Sequence, residues 1–130
     1  MTNTPSAPTG VPAPADAPVL DAERLDVYRV ALEFQAHAAV FASRCDAVVR
    51  DQLRRASLSV VLNIAEGAGQ QSRPQKRHLY SIARGSAMEC AAIIDVLRVR
   101  GITPAMECRR ARALLVRIIQ MITKLDQSLA

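Results

Sequence analysis

Residues 53–89 read LRRASLSVVLNIAEGAGQQSRPQKRHLYSIARGSAME. Apolar residues recur here at helical spacing on both sides of a polar break at Ser72-Arg73-Pro74. Before the break, Leu53, Ala56, Val60 and Ile64 form one stripe; Leu58, Leu62 and Ala65 form a second, and Val61 fills between them. So wide an apolar surface predicts burial on more than one side of a helix running from about Arg50 to Ala65. Gly67 and Gly69 are expected to end it, since glycine enters the left-handed region at little steric cost. After the break, Pro74 is tolerated in the first turn of a second helix. There Leu79, Ile82, Ser86, Cys90, Ile93 and Leu97 share one face, and Tyr80, Ala83, Ala87, Ala91 and Ile94 an adjacent one. Arg98, Arg100 and Gly101 supply a C-terminal signal.

Outward from this pair, the spacing predicts a helix on each side. Upstream, Asp21 or Asp26 is placed to cap a helix whose apolar face is Leu25, Tyr28, Leu32, Ala36, Ala39 and Phe41, ending near Arg44. A polar connection follows over Cys45 to Asp51. Downstream, Thr103-Pro104 opens a fourth helix in which Ala111, Leu115, Ile118, Ile122, Leu125 and Leu129 step by alternating four and three, a coiled-coil-like seam. Leu114, Ile119 and Met121 are apolar outside that seam. Short connections favour antiparallel neighbours, so the expected fold class is all-α, an antiparallel up-down four-helix bundle over residues 21–130. Residues 1–20 hold five of the seven prolines among Ala, Thr and Ser, which predicts a disordered Pro/Ala-rich tail.

The 130 residues suggest one domain. No apolar run reaches the length of a membrane span, and no basic segment followed by an apolar run opens the chain as in a secretory signal. A cytoplasmic location is the default expectation. Cys45, Cys90 and Cys108 are odd in number and far apart, which argues against a disulfide scaffold or a zinc knuckle. More apolar surface lies on the second, third and fourth helices than one stripe each requires. On a chain without a membrane signal this predicts self-association into a homo-oligomer.

Polar and small residues interrupt the central helices. Ser59, Asn63 and Glu66 are spaced four and three apart and share a face; Ser86 and Glu89 are three apart on the next helix. Gly85 in mid-helix costs about 1 kcal/mol relative to Ala, which makes sense if another backbone passes close. The expected role for Ser59, Asn63, Glu66, Gly67, Gly69, Gly85, Ser86 and Glu89 is a polar network, structural or at a subunit interface, that fixes register. The alternative, a carboxylate pair of Glu66 and Glu89 for acid–base or metal chemistry, lacks further ligands. Glu33 and His37 are four apart, whereas di-metal bundles use Glu-x-x-His on two helices. No catalytic residue, metal or cofactor is expected, and the chain is expected not to be an enzyme.

The formal net charge is +5. Basic residues cluster as Arg54 and Arg55, as Arg73, Lys76 and Arg77, and as Arg109, Arg110 and Arg112. The last two clusters fall near helix N-termini, where cations oppose the dipole, which hints at an anionic partner. These eight are the candidate nucleic-acid contacts. With so few aromatics, binding to RNA or DNA would follow the backbone and be salt-sensitive.

Gln52-Leu53-Arg54-Arg55-Ala56, Ser59, Asn63-Ile64-Ala65-Glu66-Gly67 and Gly69 together resemble the second-helix hallmark of the 23S rRNA intervening-sequence proteins. Ile82-Ala83-Arg84-Gly85-Ser86-Ala87-Met88-Glu89 resembles their third-helix hallmark, and Leu25-Asp26-Val27-Tyr28 their opening. The likeness covers about Leu25 to Leu125. Gln70 stands where relatives usually carry Arg, and His78-Leu79-Tyr80 where they carry a Phe-Leu pair. The resemblance implies a left-handed antiparallel four-helix bundle that assembles as a homopentamer, a scaffold of unassigned physiological role. A more distant similarity, to the accessory variability determinant of diversity-generating retroelements, implies as an alternative that a basic accessory protein binds RNA or DNA backbone, or a nucleic-acid enzyme such as a reverse transcriptase.

Overall fold

The computed structural model describes residues 19–130. The tail expected over residues 1–20 therefore falls, except for Val19 and Leu20, outside the described residues. A 3-10 turn at Asp21–Arg24 leads into α1 (Asp26–Ala42), α2 (Ala47–Gly69), α3 (Arg73–Val99) and α4 (Ala105–Leu129). Each helix packs on the two that neighbour it in a closed square, α1 on α2, α2 on α3, α3 on α4 and α4 on α1, while the diagonal pairs do not meet. Cross-links set the directions. Gln52 bonds Glu89 while Lys76 reaches Gly67 and Ala68, so α2 and α3 run oppositely. Asp95 pairs with Arg112 and Arg77 with Asp126, so α3 and α4 do too. The fold is the up-down bundle expected.

The core is built from one stripe per helix. Val60, Ile64 and Leu53 of α2, Ile94, Leu97 and Cys90 of α3, and Leu115, Ile118 and Ile122 of α4 are buried with Phe34 and Phe41 of α1. Burying each large side chain contributes roughly 1.5–3 kcal/mol. On α4 the expected seam is the buried one, and its extra apolar residues, Leu114, Ile119 and Met121, also pack on the core. What that helix leaves exposed is Met106 and Val116. On α1 the expected face is displaced. Val27, Val30, Ala31, Phe34, Ala38 and Phe41 are buried, whereas Leu32 is exposed. α1 is apolar around most of its girth, and the stripe carrying both phenylalanines buries the larger area. On α3 the buried stripe combines parts of both expected faces: Tyr80, Ala83, Ala87, Cys90, Ile94 and Leu97.

Helix ends show why the boundaries moved. Asp21 and Asp26 cap nothing, because Leu25 is the N-cap of α1 and offers no side-chain oxygen. α2 starts earlier than expected, at Ala47, because the Asp46 carboxylate accepts from the Val49 N–H at 3.1 Å. Ser72 caps α3 in the same way through Gln75. Thr103-Pro104 opens α4 without a side-chain cap; Pro104 is the N-cap and Thr103 is buried. Gly67 and Gly69 do not end α2 by turning left-handed. Both are helical, and among the described residues only Gly101 has a positive φ, 70°. There the Ile102 N–H bonds the Leu97 carbonyl and the Gly101 N–H the Arg98 carbonyl, the paired bonds of a Schellman ending. The last carbonyls of α2 are met instead by Lys76, whose Nζ donates to Gly67 O at 3.1 Å and Ala68 O at 2.8 Å.

Candidate functional site

The central polar residues collect on the outward seam between α2 and α3. The Ser59 and Ser86 hydroxyls lie 2.7 Å apart, and the Asn63 amide donates to Ser59 O at 2.9 Å and Ser59 Oγ at 3.0 Å. Further along, Gln52 donates to the Glu89 carboxylate. Ser59, Asn63 and Ser86 are half-buried; Glu89 is exposed. The seam is thus a hydrogen-bonded strip at the surface, not one sealed inside a subunit. Glu66 is exposed and makes no side-chain bond among the described residues. The helix register also separates the two carboxylates. Glu89 is level with Gln52, fourteen residues from Glu66, about 21 Å along α2. They do not form an acid–base pair, and among the described residues no three His, Cys, Asp or Glu side chains are grouped to hold a metal ion.

The three glycines of this region serve different ends. A Cβ on Gly67 would lie 2.8 Å from Tyr80 Cε1 and 3.0 Å from Cδ1, so this glycine makes room for the ring that anchors the start of α3. Gly69 faces open space. Gly85 was expected to let α2 approach, but among the described residues no neighbouring atom lies within 4 Å of where its Cβ would be. It leaves a flat spot on the outer face of α3. Around this face the chain exposes large apolar side chains. Leu62 of α2 is 54% exposed and Ile82 of α3 is 39% exposed, and the α2–α3 cross-links place them at about the same level. Val48 and Val96 are exposed at the far end of the same seam. The second apolar stripe of α2, Leu58 and Leu62, therefore stays exposed among the described residues.

The candidate phosphate contacts separate by their partners. Arg77 forms two bonds to Asp126, at 2.7 and 3.1 Å, and Arg112 two to Asp95. The Arg77 guanidinium holds the Asp126 carboxyl below its ordinary value. Lys76 caps α2, which accounts for a cation at the N-terminal end of α3. Arg54, Arg55, Arg73, Arg109 and Arg110 are exposed and meet no carboxylate among the described residues. Of the thiols, Cys90 is fully buried, and burial with the neighbouring Glu89 charge pushes it up to about 12. It is a core residue.

A square of four antiparallel helices with a polar outward seam between α2 and α3 defines a four-helix-bundle protein. The chain belongs to the 23S rRNA-intervening sequence protein family, whose profile matches residues 23–124. No curated protein matches it. Among the described residues no helix is long and apolar enough to cross a membrane.

Proposed function

We propose that the chain is a non-enzymatic scaffold that assembles with copies of itself through the outward α2–α3 face. The observation that carries this is Gly85. A glycine in the middle of a 27-residue helix costs about 1 kcal/mol, and nothing among the described residues needs the space. A neighbouring backbone does. Leu62 and Ile82 beside it supply apolar surface of the kind that fills the centre of an interface. Ser59, Asn63 and Ser86 both donate and accept, so the strip can bond donors and acceptors on a neighbouring copy. The family resemblance adds the expectation of five copies in a closed ring, in which each such face packs on a different face of the next copy.

Sedimentation equilibrium tests it. The wild-type chain should sediment as one oligomer at micromolar concentration. Leu62→Glu with Ile82→Glu should sediment as a folded subunit, because both side chains are already exposed there and their loss leaves the core intact. A monomeric wild-type chain, or a double variant that assembles unchanged, would overturn the proposal. Circular dichroism on the same samples separates lost assembly from lost folding.

A further inference from the structure

The positive charge is unevenly placed. On α4, Arg110, Arg117 and Lys124 are seven residues apart and all exposed. At 1.5 Å per residue, successive members are about 10.5 Å apart, with a drift of about 20° per step. Ala113 and Gln120 flank the line on one side, and on the other Leu114 and Met121 turn inward against the core, so the line holds no acid. Among the described residues none of the three cations makes an ion pair or a side-chain hydrogen bond. The two acids of α4 are engaged elsewhere, Glu107 by Arg44 and Asp126 by Arg77. Arg110 helps to hold the Glu107 carboxyl low, but both Glu107 oxygens are bonded to Arg44. On the neighbouring α1, Asp26 is bonded to Arg29, and Glu33 pairs with none of the three.

We propose that this stripe of α4 docks the phosphate backbone of nucleic acid. Two of its three cations are arginines, whose planar fork matches phosphate in two bonds. A protein partner would want a desolvated apolar or aromatic centre; Ala113 and Gln120 offer none, and Leu114 and Met121 are spent on the subunit's own core. A phosphate backbone wants only regularly spaced cations without competing acids. No aromatic side chain lies on the stripe for bases to stack on, so recognition is independent of sequence. The stripe lies on a different helix from the α2–α3 seam.

The test is fluorescence anisotropy of the full-length chain with a labelled 25-base-pair RNA duplex of mixed sequence. Binding is expected at 50 mM salt, and three phosphate contacts predict a loss of about 40-fold between 50 and 200 mM. The variant R110Q/R117Q/K124Q should weaken binding at 50 mM salt at least tenfold and reduce the slope of log K against log salt by about 2.7. R50Q/R98Q/R100Q removes the same charge from elsewhere, at positions outside the candidate contacts, and should bind like the wild type. Failure of the wild-type chain to bind the duplex at 50 mM overturns the proposal. So does an equal loss in the two triple variants, or a polyglutamate chain that competes as well as unlabelled duplex; the last result would mark an acidic protein as the partner. Sedimentation of each variant keeps loss of assembly distinct from loss of binding.

Discussion

Gly67 and Gly69 are two residues apart in one helix, yet substitution should act on them with opposite signs. A methyl on Gly67 meets the Tyr80 ring at 2.8 Å, and that ring is almost wholly buried, so it has nowhere to swing. Gly67→Ala is expected to destabilise the chain by about 1–3 kcal/mol as overpacking, although alanine is the better helix former. Gly69→Ala meets nothing and should gain up to about 1 kcal/mol from propensity. Urea unfolding of the two variants checks this; a stabilised Gly67→Ala would mean that the ring yields. The sequence marked all three glycines as special but assigned each to a cause the structure does not bear out. A glycine near a helix end is ambiguous in one dimension, because a left-handed ending and a close aromatic neighbour both require the missing Cβ. Only the register of α3 against α2 brings Tyr80, thirteen residues away, onto Gly67.

At the scale of the helix, periodicity was legible wherever polar and apolar faces contrast. The α4 seam from Ala111 to Ile122 is buried as its spacing predicts. α1 lacks that contrast, and which of its apolar stripes turns inward is decided by fit to the other helices. Ends were harder to read because partners come from other elements. The C-terminus of α2 has no motif of its own; Lys76, from the second turn of α3, satisfies it. The same two bonds tie the α2–α3 corner together. Lys76→Met keeps the stem and removes the donor, and should cost about 1 kcal/mol. The loss should be local: amide exchange in the last turn of α2 is expected to quicken while the middle of α1 is unchanged. Uniform quickening along all four helices would show that the corner holds the whole bundle rather than one helix end.

For the molecule as a whole, the closed square leaves each helix one outward face, and the sequence makes these faces unlike. The α2–α3 seam is polar and small with exposed Leu62 and Ile82, while α4 presents cations. The up-down order was legible from loop lengths and stripe count; the division of cations into engaged and unengaged was not, because Asp126 and Asp95 reach Arg77 and Arg112 only after α3 and α4 pack. Those ion pairs bear on pH. Glu107 and Asp126 each sit below their ordinary values, chiefly through hydrogen bonds from Arg44 and Arg77. The folded chain therefore takes up these two protons less readily than the unfolded chain does. Their contribution to stability is complete above the ordinary carboxylate range of about 4, and it is lost as pH falls through the lower folded values. Arg44 and Arg77 stay charged throughout and add no titration of their own. Glu107→Gln with Asp126→Asn should accordingly be less stable than the wild type at pH 7 but lose less on acidification. Urea midpoints at pH 6 and pH 3.5 should lie closer together in the double variant. Equal spacing in the two proteins would mean that the pairs tie α1 to α4 and α3 to α4 no more firmly than water does.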